Sequence, residues 1–202
     1  MTSFSRWVTA HGVRAAFEVV RRLGPDRASA IGAGIARAIG PLLKQQRIAL
    51  ANVQQAFPDL PESEQRRIVA EAWDNLGRVA AEYVHLRDIY DLDFDRPESG
   101  RVVATPEVVE RFRRLKVESP TLLFTAHSAN WELTPMVPPR HGIPSTMIYR
   151  RPNNAVVAEE ILRLRSGVMG NLVAASPTAP RALAAAIKRG ESVGMVVDQH
   201  FS

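Results

Sequence analysis

The second half of the chain alternates short apolar runs with helical stretches, and no other feature constrains the fold as strongly. The apolar runs are rich in strand-forming residues and span 121–126, 145–149 and 192–197. Between them, Asn153 or Asn154 can cap a helix that runs to Arg165, and Thr178 can cap a helix that ends at Gly190. Strands that alternate with helices predict an α/β fold, with a mixed, largely parallel sheet flanked by helices.

The residues before this alternating region read as helices. Residues 4–46 show two helical patterns divided at Gly24-Pro25, and a long amphipathic pattern further along ends near Leu86. The helical part therefore forms an N-terminal extension of the α/β region. We expect two regions: a helical N-terminal region, 1–100, packed on an α/β core, 101–202.

The excess of positive charge lies in residues 1–60. This segment contains eight Lys and Arg residues and three Asp and Glu residues, a surplus of five that equals the net charge of +5 of the whole chain. A basic, partly apolar segment favours an anionic surface as its partner, either phospholipid or nucleic acid. Because no known nucleic-acid-binding motif accompanies the basic segment, we expect a membrane surface and no nucleic acid.

Two absences in the sequence narrow the classes of protein. The chain has no cysteine, which excludes a disulfide framework, a thiolate metal site and a cysteine nucleophile. It also has no run of about 18 uncharged apolar residues, the length that a membrane-spanning helix needs. The best candidate, Ala28 to Leu43, is interrupted by Arg37. These observations favour a protein that lies on a membrane over one that spans it.

The segment 126–133, with the sequence AHSANWEL, carries the strongest chemical signal. It follows an apolar strand, so His127 lies at the carboxyl end of that strand, where α/β sheets place ligands and catalytic groups. The next three residues read as a turn that leads Glu132 into a helix. On one continuous helix the two side chains would point about 140° apart, but across a strand–turn–helix corner they can meet. Glu132 would then orient the imidazole, and His127 could take a proton from an alcohol.

Two other enzyme classes fit the sequence less well. Gly190-Glu191-Ser192-Val193-Gly194 matches G-x-S-x-G, the nucleophile elbow of serine esterases, and would make Ser192 a nucleophile. In an elbow, however, the strand precedes the motif, whereas here a helix precedes it and the strand follows. A zinc protease would need the motif H-E-x-x-H, and His127 and Glu132 do not form it. The esterase therefore stays a remote alternative, and we expect no metal site.

The pattern His127-x4-Glu132 resembles the HX4(D/E) motif of the lysophospholipid acyltransferase superfamily. Its ending, Asn-Trp-Glu, is more narrowly similar to the lipid A biosynthesis lauroyl/myristoyl acyltransferase family. That family usually has an aromatic residue and a glycine after the histidine, where this chain has Ser128 and Ala129. Other segments resemble the family in the same order along the chain: 52–58, 75–78, 149–154 and 190–199.

The resemblance implies a reaction and a set of functional residues. Such enzymes move a fatty acyl chain from acyl carrier protein, or from acyl-CoA in some members, to a hydroxyl of a lipid A precursor, without a metal or other cofactor. His127 would be the base and Glu132 its orienting carboxylate. Arg150 would hold an anionic group, because a guanidinium suits phosphate, and Asn130 and Asp198 are further candidates for substrate binding. The implied location is the cytoplasmic face of the bacterial inner membrane, with peripheral or monotopic attachment.

The end of the chain differs from the family pattern. Residue Ser202 comes soon after the apolar run 192–197, whereas family members continue with further strands and helices. A terminal strand without a covering element also predicts an incomplete layer. We therefore expect the C-terminal part of the α/β core to be missing. The alternative function is a truncated, catalytically weak or inactive module that binds lipid or carrier protein.

Overall fold

The structure is a computed structural model, and it describes residues 3–118 and 120–198. The contacts within the chain define two compact units. The first unit combines Met1–Glu18 with Leu86–Ser202, and the second unit is Val19–His85. None of the described helices is both long enough and apolar enough to cross a membrane.

The Val19–His85 unit consists of helices. Its elements are the end of α1 (Ser3–Leu23), α2 (Pro25–Ile39), a 3-10 turn (Gly40–Leu42), α3 (Lys44–Ala56), α4 (Glu62–Glu82) and a second 3-10 turn (Tyr83–His85). The division between α1 and α2 falls where the sequence predicts it, because Gly24 has a φ of 75° and Pro25 opens the next helix. At the crossing of α2 and α4, a Cβ on either Gly32 or Gly77 would collide with the carbonyl oxygen of the other. The two helices therefore pack at backbone contact.

The other unit contains the sheet. Its elements after residue 85 are α5 (Leu86–Ile89), α6 (Pro106–Glu118), β1 (Leu122–Thr125), a 3-10 turn (Thr134–Met136), α7 (Val137–Arg140), β2 (Ser145–Tyr149), α8 (Ala155–Arg165), β3 (Asn171–Ala174), α9 (Ala179–Lys188) and β4 (Ser192–Val196). The strands pair in the order β1-β4-β2-β3, and each pair is parallel. Arg14 of α1 belongs to this unit and donates to the buried carboxylate of Glu160 on α8, with an N–O distance of 2.6 Å.

The predicted α/β class is confirmed, and the three predicted strands correspond to β1, β2 and β4. Helix α8 begins at the predicted cap, because the Asn154 side chain accepts hydrogen bonds from the backbone N–H groups of Val156 and Val157. Thr178 precedes α9, but its side chain makes no capping hydrogen bond. Strand β3 was not predicted from the sequence. It is only four residues long and starts with a polar residue, Asn171, so it lacks a recognisable apolar run.

The parallel sheet determines where the functional groups gather. All four strands end at one side of the sheet, which we call the carboxyl edge. Strands β1 and β4 are neighbours, with Thr125 opposite Val196. The residues two positions beyond this pair are His127 and Asp198. The register therefore places a histidine and a carboxylate side by side at the carboxyl edge.

Candidate active site

His127 and Asp198 are joined by two hydrogen bonds at the carboxyl edge. The Asp198 Oδ1 atom lies 2.8 Å from Nδ1 of the imidazole, and Oδ2 accepts from the backbone N–H of His127 at 2.9 Å. One carboxylate thus holds both the main chain and the ring of the histidine. The imidazole is fixed by a residue that follows the neighbouring strand, 71 positions further along the chain.

This geometry selects the nitrogen that is available for chemistry. An ionised carboxylate only accepts hydrogen bonds, so Nδ1 carries the proton and donates it to Asp198, and Nε2 keeps its lone pair. The hydrogen bonds from His127, that of the ring first and that of the backbone second, hold the pKa of Asp198 below its usual value. Asp198 therefore remains ionised at neutral pH, as an orienting carboxylate must be.

The turn after His127 has an unusual backbone conformation. Ala129 has a φ of 46°, in the left-handed region that residues with a side chain rarely adopt. The side-chain oxygen of Asn130 accepts from the backbone N–H of Glu132 at 3.1 Å, which closes the turn. The Trp131 ring then meets the imidazole edge-on, with 5.2 Å between ring centroids. The short turn therefore brings the chain back beside the histidine.

Glu132 forms a buried ion pair with Arg165 at the end of α8. Its two oxygens lie 2.6 Å from Nη2 and 2.9 Å from Nε of the guanidinium, and Trp131 Nε1 donates to Oε1 at 3.0 Å. The carboxylate side chain is 4% exposed and the Arg165 side chain 15%. A bidentate pair of this kind is charge-assisted and geometrically specific. It ties the turn after β1 to α8.

In the structure, Glu132 and Asp198 contact partners other than those expected from the sequence. Glu132 was expected to orient His127, but its hydrogen bonds go to Arg165, Trp131 and its own turn, and none joins it to His127 within the described residues. The carboxylate on the imidazole is that of Asp198, which had been expected to bind substrate. Sequence spacing suggested Glu132 because it is local, whereas the Asp198 contact depends on the strand order.

A cavity of about 860 Å³, open to solvent, lies against this site. His127, Trp131 and Glu132 form one part of its wall, and Tyr149 and Arg150 form another. The remaining wall residues are Pro135, Met147, Ile148, Arg165, Met169, Leu172 and Val196. The cavity brings a histidine, an arginine and a largely apolar wall together in one space.

A second cavity, of about 620 Å³, adjoins the first and is almost entirely apolar. The two cavities share Pro135, Met147, Ile148 and Val196 as wall residues. Only hydroxyls interrupt the apolar side chains of the second cavity, those of Thr125 and Thr134. Its other wall residues are Phe112, Leu123, Phe124, Pro138, Gly194 and Met195. The space beside His127 therefore adjoins an apolar slot under the sheet, and the two share part of their walls.

The other residues predicted to bind substrate are Arg150 and Asn130, and both lie near His127 in the chain or in the cavity. Arg150 is exposed in the wall of the cavity and makes no ion pair within the described part of the chain. The contact given for the Asn130 side chain is local, to its own turn. Sequence reasoning missed Arg165, although a charged residue at the end of a helix that follows a strand was a usable signal.

The geometry of Ser192 does not favour an esterase. Ser192 is fully buried at the start of β4, and its hydroxyl accepts from the backbone N–H of Thr121 at 3.2 Å. It lies at the amino end of the sheet, opposite the carboxyl edge. Over residues 3–118 and 120–198, no group of His, Asp and Glu residues is arranged to hold a metal ion.

A histidine held by a carboxylate at the carboxyl edge of a parallel sheet, beside an apolar slot, is the arrangement of an α/β enzyme with a general base at an apolar cavity. The chain belongs to the bacterial lipid A biosynthesis acyltransferase family, whose family model matches residues 2–202. The resemblance seen in the sequence is confirmed, and with it the class of reaction, acyl transfer. No curated protein matches the chain in sequence.

Proposed function

We propose that this protein transfers a fatty acyl chain from acyl carrier protein, or from acyl-CoA, to a hydroxyl of a lipid A precursor or a related glycolipid. The observation that carries the proposal is the clamp of Asp198 on His127, which leaves Nε2 uncommitted at the wall of a cavity. This is the arrangement that a general base needs to activate a hydroxyl. Family membership supports the acyl transfer itself.

The reaction can be written with these groups. Nε2 of His127 takes the proton of the acceptor hydroxyl as the oxygen attacks the thioester carbonyl. The tetrahedral intermediate then expels the thiolate, the C–S bond breaks, and the imidazolium returns the proton to sulfur. Asp198 holds the ring and stabilises its positive charge during the step. The products are an ester and a free thiol, and no cofactor takes part.

The cavities suggest where each substrate part lies. The apolar slot fits the acyl chain, because its wall offers almost no hydrogen-bonding partner. Arg150 lies exposed in the wall of the first cavity, where its guanidinium can hold a phosphate of the acceptor. The Glu132–Arg165 pair keeps the His127 turn in place. Membrane attachment at the cytoplasmic face of the inner membrane would bring this site to its lipid acceptor.

A transfer assay tests the proposal. The full chain is incubated with labelled acyl carrier protein and a lipid A precursor, and ester formation is followed for the wild type, His127→Ala and Asp198→Asn. We expect each variant to lower kcat by about a hundredfold or more, because the base is lost or no longer held. Asp95→Asn is the matched control, since Asp95 is an exposed loop carboxylate, and it should leave kcat unchanged.

Two results would overturn the proposal. One is transfer by His127→Ala at the wild-type rate. The other is no transfer by the wild type while it still binds lipid or carrier protein, which would make the chain a binding module. Ser192→Ala separates the remaining class, because an esterase would lose all turnover and the proposed enzyme would keep its clamp.

A further inference from the structure

Three arginines stand at the carboxyl edge, and we call them the arginine rim: Arg150, Arg151 and Arg181. Arg150 and Arg151 follow β2, and Arg181 is the third residue of α9, which follows β3. Strands β2 and β3 are parallel neighbours, so these connections leave the sheet side by side. All three side chains are exposed. Arg150 itself lines the catalytic cavity, Arg151 is its neighbour in the chain, and Arg181 lies on the connection that leaves the sheet next to theirs.

The rim differs from most of the arginine side chains elsewhere in the chain, because it has no acidic partners. Within residues 3–118 and 120–198, the side chains of its members form no hydrogen bond or ion pair. The segments 150–158 and 175–182 contain no Asp or Glu. By contrast, many arginines elsewhere pair with carboxylates: Arg14, Arg37, Arg66, Arg67, Arg78, Arg96, Arg113, Arg114, Arg163, Arg165 and Arg189. The rim thus presents uncompensated positive charge.

The position of Arg181 runs against local helix stability. A positive side chain in the first helical turn is unfavourable, because it faces the positive end of the helix dipole. The first turns of α8 and α9 contain no acidic residue that would offset it. A residue that breaks a local rule without a compensating contact is a candidate for a role in binding. Because the positive charge of Arg181 lowers the stability of α9, it indicates a role for that charge outside the helix.

We propose that Arg151 and Arg181 of the arginine rim dock an acidic face of the protein that carries the acyl group, while Arg150 borders the cavity beside them. This inference rests on the proposed function, in which the thioester enters the cavity while its carrier stays outside at the opening. Exposed guanidiniums on two neighbouring connections suit several carboxylates spread over a large partner. Charges at such a rim act mainly by steering association, and salt screens them.

The first arm of the test measures binding, so it does not depend on turnover. Labelled acyl carrier protein is titrated with the wild type and with the double variant Arg151→Glu/Arg181→Glu. We expect the double variant to bind about tenfold more weakly or worse, because like charges now face each other. The wild-type affinity should also fall as salt is raised, and the variant should lose this dependence. Arg150 is left intact because it lines the catalytic cavity.

The second arm compares donors of different charge. With acyl carrier protein, the double variant should raise KM by about tenfold and leave kcat unchanged. With acyl-pantetheine, which carries neither protein nor phosphate, both constants should stay at the wild-type values. Arg151→Lys/Arg181→Lys should retain the wild-type KM, since charge and not guanidinium shape is required. Lys188→Glu is the matched control, an exposed cation at the other end of α9.

The outcomes separate the inference from the proposed function. Equal binding of carrier protein by the wild type and the double variant overturns the docking surface. So does a rise in KM for acyl-CoA with none for acyl carrier protein, which would make the rim a site for nucleotide phosphates. Carrier binding that depends on the rim, without transfer from any donor, supports the docking surface and contradicts the proposed reaction alone.

Discussion

At the scale of single residues, the site depends on one strained position. Ala129 holds the turn between His127 and Glu132 with a φ of 46°. Glycine adopts this conformation without the clash that a Cβ causes. Ala129 also stands where the family usually has glycine. The side chain at this position therefore works against the turn that carries the base.

We predict that Ala129→Gly stabilises the protein by about 1 kcal/mol and keeps transfer activity, because it relieves the strain of the left-handed backbone. Denaturant unfolding gives the change in the free energy of unfolding. Ala184→Gly is the control, since Ala184 is exposed within α9, and it should destabilise by about 1 kcal/mol. If Ala129→Gly lowers the free energy of unfolding as much as Ala184→Gly does, the turn carries no strain that glycine can relieve.

At the scale of elements, the apolar slot owes its width to a glycine in β4. A Cβ at Gly194 would overlap the sulfur of Met147, its register neighbour on β2. Met147 lines both cavities. A larger residue at position 194 would therefore displace the flexible Met147 side chain, which stands in the wall that the two cavities share.

We predict that Gly194→Val shifts the preference of the enzyme towards shorter acyl chains. The kcat/KM ratio of a hexadecanoyl to a decanoyl donor should fall about tenfold or more, a range typical of lost methylene contacts. Competition between the two donors in one reaction measures this ratio directly. Leu122→Phe is the control, because Leu122 is half-exposed on β1 and is not among the wall residues of either cavity. An unchanged ratio would contradict the placement of the acyl chain.

At this scale, the sequence predicts most of the helices and strands but only part of the site. The periodic patterns and caps sufficed for the α/β class and for most helices and strands. The position of His127 followed from the apolar run before it. The pairing of His127 with Asp198 did not follow, because it requires the strand order β1-β4-β2-β3, in which strands distant in sequence become neighbours. Hydrophobic periodicity carries no information on which strands pair.

At the scale of the whole molecule, the expected membrane attachment has a candidate surface in the Val19–His85 unit. Leu42 is 82% exposed, and other apolar side chains of the unit are exposed with it: Ile31, Ile35, Ile39, Leu43, Ile48 and Leu76. A groove of about 790 Å³ between α2 and α4 has no charged residue in its wall. Exposed cations accompany this surface, namely Arg27, Lys44 and Arg47. Apolar side chains with nearby cations suit the interface of an anionic bilayer.

We predict that the protein binds vesicles containing phosphatidylglycerol more tightly than vesicles of phosphatidylcholine alone. Ile39→Asp/Leu42→Asp should weaken binding by about tenfold or more, because two apolar side chains lose their burial in lipid. Val117→Asp is the control, since Val117 is 86% exposed on α6. Unchanged sedimentation with vesicles would exclude this surface, and concentration-dependent dimers that the double variant abolishes would assign it to a second copy.

The strand order has a consequence for how the enzyme matures. Strand β4 is the last strand described along the chain, yet it lies between β1 and β2. Strand β1 therefore cannot pair with β4 until the ribosome has made almost all of the described residues. Because Asp198 arrives with β4, the base cannot be oriented while synthesis of the sheet is unfinished. Nascent chains and folding intermediates should therefore be inert towards thioesters, and recovery of activity during refolding should report the insertion of β4 and not the earlier formation of helices.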